Sequence, residues 1–421
     1  MLDRLRFYFN RLQERLWVRP LLFCIVSVVA AFVARATDDW GIAHLVPDLS
    51  SESVTTLLRV MSSSMLVIAT FAVGSMVSAY SSASNTATPR SFPVIVADDV
   101  SQNALSAFIG SFIFSIVGLV AMENGYYDIT GRFTLFAFTV LAFAIVVITF
   151  VRWVDKIARL GRMGNTVDKV EAAAAESLQR RRRAPNLCAH AGFDDLGQTR
   201  AVQGLEVGYL QRVDLPELQE AAVTLDCRIQ VVATPGSYIS PGKILAEIEC
   251  DESKLDDAAI ASIRAAFVIG HDRTFDDDPR FGLITLSEIA SRALSPAVND
   301  PGTAIDVIGT LLRLLVNWCE PVAEEEKREL LYDRLAVNSL STEDIFIDAF
   351  GSIARDGAGT VEVMVRLMKA LNSLCHCEDE ETSEQARAMA RVALGRAQQA
   401  MEFEQDIEAV REAAAFAEAS A

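Results

Sequence analysis

Four apolar runs ahead of residue 155 constrain this chain more than any other feature. They cover residues 21–33, extended by Trp17 and Val18, and then residues 58–82, 104–122 and 133–154. Each is near the ~20 residues that a helix needs to cross the hydrocarbon of a bilayer. Residues 20–155 therefore read as a four-helix transmembrane domain. The first run has the character of a signal-peptide core, but its flank is long, no clear small-x-small cleavage site leads into a soluble domain, and further spans follow. It is read as a retained span.

Charge sets the expected topology. Residues 1–19 are a basic, amphipathic N-terminal segment in which Arg4, Arg6, Arg11, Arg15 and Arg19 alternate with Leu5, Phe7, Tyr8, Phe9 and Leu12. Arg152, Lys156, Arg159 and Arg162 follow the fourth run. Positive flanks stay on the cytoplasmic side, so both termini are expected in the cytoplasm. The acidic segment 36–56 and the loop 125–132 then lie outside, and the loop 84–103 inside. A surface-lying helix is the alternative reading of the first segment.

Beyond the spans the composition changes. The formal net charge of −18 is carried mostly by the second half. An acidic soluble half argues against nucleic-acid binding, which needs a basic face. Seven scattered cysteines form no disulfide framework and suit a reducing compartment. Residues 156–184 read as a connecting helix ending in Arg180–Arg183, a run that is solvated or meets anionic headgroups. Pro185 breaks it. Residues 185–320 read as a cytosolic α+β domain, with strands near 206–211, 227–233 and 244–248 and helices at 215–224 and 254–268. The hairpin between Gly236 and Gly242 is similar in shape to one in lipoyl and biotinyl carrier barrels, but Lys243 stands at a strand start, not at a carrier tip, and no cofactor is expected. Residues 321–421 read as a helical C-terminal region, with helices at 324–337, 343–354 and 360–373 and a long Ala/Glu-rich run over 383–419.

Two stripes of small residues mark the spans. Ser63, Thr70, Gly74, Ser78 and Ser81 share one face of the second run, and Ala104, Ala107, Ser111, Ser115 and Gly118 share one face of the third. Small residues let helix backbones approach, so each stripe suits close packing. Hydroxyls also replace part of an ion's hydration shell, so the sharper reading is a hydroxyl-lined pore or binding face at an oligomer axis. No ionisable residue lies well inside a run, which weakens a proton-coupled transporter and leaves a passive channel open. In the inner loop, Arg90 is a candidate coupling residue, with Asp98, Asp99 or the soluble domain as partner.

The stretch Ala293–Ala304, ALSPAVNDPGTA, is a corner between two amphipathic helices. Pro296 lacks an amide hydrogen and stops the first helix. Asp300 caps the next, with Pro301 in its first turn. A capped turn is the plain reading, and a ligand or subunit contact built from Arg292, Asn299 and Asp300 is the functional one. A second candidate is Gly270–Thr274, with His271 and Arg273, followed by Asp276, Asp277 and Asp278.

These segments carry a resemblance. The corner looks like the ALSPxxNDPxTA signature of a bacterial family of predicted membrane proteins of unknown function. The His271 loop, the Phe281-Gly282-Leu283 that follows it, and the Ser/Ala-rich second span ending at Pro89-Arg90 are similar to the same family, over roughly residues 10 to 320. The resemblance implies the architecture and no activity.

Catalytic signatures are missing. There is no Walker loop, no dinucleotide fingerprint and no nucleophile elbow. The His271 loop matches no calcium or zinc spacing, and Cys375-His376-Cys377 has no second Cys/His pair, so no metal site is assigned. The expectation is a non-enzymatic, homo-oligomeric, channel-like protein gated by its cytosolic domain, passing an ion or small ligand of unspecified kind. The alternatives are a membrane-anchored sensor or scaffold and, more weakly, a metal-dependent membrane enzyme.

Overall fold

The computed structural model describes residues 17–418 apart from 41–43, 45, 87, 97–98, 161–162, 194–196, 252–253, 324–325 and 327. Most of the basic N-terminal segment, Asp98 and Arg162 thus lie outside the described residues. The chain forms two compact units, one running to Thr166 and one starting at Val167.

The first unit is helical. α1 spans Val18–Ala36, α2 Ser51–Thr86, the short α3 Phe92–Val96, α4 Asp99–Glu123 and α5 Ile129–Leu160. These contain the four apolar runs, extended at both ends. The extension of α2 has a local cause. Ser50 Oγ accepts the Ser53 amide at 3.2 Å, and Glu52 sits in the first turn, where the helix dipole favours a negative charge. At ~1.5 Å per residue, 36 residues exceed the ~30 Å of hydrocarbon, so α2 reaches past it.

α4 is the centre of this unit and packs on α1, α2 and α5. Leu58, Phe114 and Leu135 form the core at one end, and Met65, Phe108 and Trp153 form it in the middle. Apolar side chains also cover the outside: Leu22, Val26, Phe32, Val67, Phe71, Leu141, Ile148 and Val151 are all exposed. A water-soluble bundle does not present such a girdle, whereas a bilayer requires it. Asp38, its side chain 3% exposed, accepts the amides of Asp128 and Gly131 at 3.0 and 2.6 Å. It thereby caps the start of α5 from the end of α1. A Cβ on Gly131 would collide with that carboxylate.

α6, Met163–Arg183, leads into the second unit, which holds two sheets. The strands are β1 Ala189–His190, β2 Arg200–Gln203, β3 Gly208–Val213, β4 Arg228–Val231, β5 Tyr238–Ile239, β6 Ile244–Glu249, β7 Phe267–Gly270 and β8 Tyr332–Val337. The larger sheet has the order β1-β8-β4-β6-β2, with β8 parallel to β1 and β4 and the β4-β6 and β6-β2 pairs antiparallel. Ile229 pairs with Ile248 and Val231 with Val337, which stacks apolar side chains into one core with α7, Leu215–Leu225. The smaller sheet is β5-β3-β7, and α8, Asp257–Ala265, runs into β7. The helices that follow are α9 Pro279–Ala293, α10 Pro301–Cys319, α11 Thr342–Asp356, α12 Val361–Leu374, α13 Glu380–Ala400 and α14 Glu404–Ala413.

Three expected elements differ. Residues 324–337 contain a strand, not a helix: Leu335, Ala336 and Val337 are fully covered because β8 is inserted between β1 and β4. The charged run ahead of it carries a helical pattern, but burial on both faces decides the strand. The expected helix over 254–268 yields its last residues to β7. The long C-terminal run bends at Met401, whose extended backbone separates α13 from α14.

Among the described residues five helices are long and apolar enough to cross a membrane, the fifth being Pro301–Cys319. Its mean hydropathy is 1.2, against 1.8 to 2.7 for the others. Its apolar face (Val307, Ile308, Leu311, Leu314) is buried, and it packs on α9 and α12 within the second unit.

Candidate functional site

The two small-residue stripes occupy opposite environments. On α4, Ala104, Ala107, Ser111, Ser115 and Gly118 are all buried. A Cβ on Gly118 would lie 3.2 Å from Leu135 Cδ1, and one on Gly110 would lie 3.0 Å from Phe23 Cβ. Ser115 donates its hydroxyl to Ser111 O at 2.7 Å, so it is satisfied inside its own helix. This stripe is where α1, α2 and α5 close onto α4.

On α2, Ser63, Thr70, Gly74, Ser78 and Ser81 are all exposed. A Cβ on Gly74 would meet nothing within 4 Å among the described residues. The helix rotation explains this: Leu58, Met61, Met65, Ala69, Ala72, Met76 and Tyr80 take the inward face, so the hydroxyl stripe points away from the bundle. Ser63 donates to Arg59 O and Val60 O at 3.1 Å, and Thr70 to Leu66 O at 2.8 Å. A hydroxyl bonded to its own helix keeps lone pairs free and leaves no unmet donor in an apolar medium. Gly74, Ser75, Ser78 and Ser82, with Phe71 and Ile157, line an open groove of about 560 Å³ on this face. Apolar Phe71 and polar Ser78 thus share one surface.

Arg90 lies in a short 3₁₀ turn, Pro89–Ser91, where its amide donates to Thr88 Oγ1 at 3.4 Å. Asp99 pairs instead with Arg19 at 2.5 Å.

In the second unit the candidates do not gather into one site. Arg273 bonds Asp278 at 2.7 Å, and Asp278, 1% exposed, caps α9 by accepting the Phe281 amide at 3.2 Å. Burial pushes the Asp278 carboxyl above the usual range, against the pull of Arg273. Gly236, at φ +93°, is close enough that a Cβ would sit 2.5 Å from Asp278 Oδ2. This is a structural clasp. His271 is exposed and has no hydrogen-bond or ion-pair partner among the described residues. Also among them, no three His, Cys, Asp or Glu side chains converge in a way that holds a metal ion.

The NDP corner is built as its sequence suggests. Asp300 accepts the Thr303 amide at 3.1 Å and the Thr303 hydroxyl at 2.6 Å, and those bonds hold its carboxyl below the ordinary range. Asn299 is left-handed, φ +49°, a conformation Asn tolerates better than most residues. Pro296, Ala297, Val298, Asn299 and Asp300 are all exposed, as is Arg292. The corner is an exposed, capped turn.

The arginine run at the end of α6 is not uniformly solvated. Arg181 is 5% exposed, and Arg180 donates to Asp276 O. Charge counting alone had no signal for this, because it depends on the carbonyls of Asn338 and Asp276, far along the chain.

A girdled helical unit with a sheet-containing second unit defines the class: a multi-pass membrane protein. Residues 13–373 match the family described as "Predicted membrane protein (DUF2254)", and the chain belongs to that family. Two uncharacterized proteins, Mb1321c of Mycobacterium bovis and Rv1290c of Mycobacterium tuberculosis, are each 37% identical over 105 residues, 24% of this chain and 20% of theirs. The match thus spans about a fifth of the length of those relatives. No solved structure matches the chain.

Proposed function

We propose that the protein is a non-enzymatic, channel-like homo-oligomer of the bacterial inner membrane, with the outer face of α2 turned toward the axis between copies. In this reading α1, α2, α4 and α5 are the four spans, both termini are cytoplasmic, and α10 belongs to the cytosolic half. One observation carries it: the Ser63–Ser81 stripe is exposed on the single chain, while the matching stripe on α4 is consumed by packing. A stripe of small hydroxyl residues lets a neighbouring copy approach closely, and the lone pairs left free on those hydroxyls suit a wet axis. The cytosolic unit acts as the gate, and Arg90 in the inner loop is the coupling residue.

The test is ion flux through proteoliposomes holding the purified protein, with Ser78→Leu alongside. Flux that disappears in a variant that still assembles supports the pore. Absence of flux across salts, pH values and membrane tension overturns it.

The exposed corner supports a second reading, a membrane-anchored sensor or scaffold whose partner meets Arg292, Asn299 and Asp300. Crosslinking from Val298, 47% exposed, distinguishes it. A partner captured there by the wild type and lost on Asn299→Pro favours the scaffold; no capture beyond background counts against it.

A further inference from the structure

Within the second unit, a cavity of about 220 Å³ opens beside the end of α6, lined by Arg181, Arg182, Trp318, Thr342 and, among others, Asp379 and Glu381. Arg181 is 5% exposed, and its one hydrogen bond here is from a terminal nitrogen to Asn338 O at 2.7 Å. Its Nε is buried with no partner. Among the described residues it forms no ion pair, although its neighbours do: Arg180 with Glu176 at 2.9 Å, Arg182 with Glu320 at 3.8 Å and Arg183 with Glu326 at 3.3 Å.

A buried guanidinium without a counter-charge is costly, because desolvation removes far more than one neutral carbonyl returns. Burial alone draws the Arg181 pKa down to about 10, which still leaves it charged at neutral pH. Its own helix C-terminus supplies at most about half a negative charge. Arg182 lines the same cavity with its Nε also buried and unpartnered, while its Nη1 donates to Asn317 O and lies 3.8 Å from Glu320. Thr342 lines it too, but the start of α11 is already capped by Ser341 and carries Glu343 and Asp344 in its first turn, so the two arginines alone supply the attraction for an anion. The carboxylates are at the exposed rim, and Asp379 is already committed to capping α13 through the Thr382 amide at 2.9 Å.

We infer that this cavity is a binding site for a small oxyanion, a phosphate or carboxylate group, received by Arg181 at its floor and Arg182 at its side. The planar fork of a guanidinium suits two oxygens of such a group. The rim carboxylates exclude ligands of high negative charge, so a monoanionic or dianionic group fits and a polyphosphate does not. This site is independent of whether α2 lines a pore.

Full-length protein in detergent is titrated with sodium phosphate and, separately, sodium acetate, at constant ionic strength against sodium chloride. Thermal unfolding and tryptophan fluorescence are read together. A ligand that binds the folded state raises its unfolding temperature, and Trp318 in the wall reports occupancy. A saturable response to either oxyanion, absent with chloride, is expected. Trp318→Phe should remove the fluorescence change and keep the thermal one. Arg181→Met should abolish the response and raise the unfolding temperature of the anion-free protein. Arg182→Gln should weaken binding at least tenfold, and it decides the matter if Arg181→Met does not fold. No saturable response to either anion, or an unchanged one in the folded variants, would overturn the site.

Discussion

α2 and α4 carry stripes of the same residue types, yet one is buried and the other exposed. On α4 the small residues face three neighbouring helices, and a Cβ on Gly110 or Gly118 lands against Phe23 or Leu135. On α2 the methionines and leucines take the inward face, and the serines, threonine and Gly74 are left outside. Small size therefore serves two purposes. It permits close approach where a neighbour exists, and it keeps a surface narrow and polar where none does among the described residues. Which applies depends on the phase of the stripe relative to the large apolar residues of the same helix.

That contrast sets the size of several expected effects. Gly110→Leu should be the most damaging, because even a Cβ there lies 3.0 Å from Phe23 Cβ; a loss of about 3 kcal/mol is expected from overpacking, read as a lower unfolding temperature in detergent. Gly131→Ala should cost about 2 kcal/mol by displacing the Asp38 carboxylate that caps α5, and Asp38→Ala should produce a loss of similar size that does not add to it.

In the second unit, Asp300→Ala should remove the cap of α10 and cost about 1 kcal/mol, whereas Asp300→Asn keeps the cap. The two differ in pH response. Asp300 has a depressed folded pKa, so its extra stabilisation is present above the ordinary aspartate range and is lost as pH falls through the folded value. Acid titration of stability in Asp300→Asn should lack that component. The smallest effect belongs to Gly74→Leu, with nothing within 4 Å of the new Cβ: the stability of the single chain should stay within about 0.5 kcal/mol, while oligomer size or flux changes. A large loss of monomer stability there would mean that the α2 face is not free.

Much of this was legible in the residues. Run length and apolarity located the membrane helices, and Pro296, Asp300 and Pro301 marked the corner down to its cap. The strand at Tyr332–Val337 was not legible, because its partners β1 and β4 lie more than ninety residues earlier and a short apolar run has no period of its own. By sequence Arg181 is one charge in a run that is solvated or meets anionic headgroups, since nothing local signals that its side chain turns inward.

The chain by itself determined that there is a membrane unit and an acidic, sheet-bearing unit, and where the helix between them ends. Those properties are local: hydropathy over ~20 residues, a proline without an amide hydrogen, a carboxylate three residues ahead of an amide. Only the tertiary structure decided which small-residue stripe is buried, that β8 completes the sheet, and that one of four consecutive arginines is enclosed without a counter-charge among the described residues. Each depends on which distant segment arrives as a neighbour, and burial, unlike hydropathy, is a property of the pair.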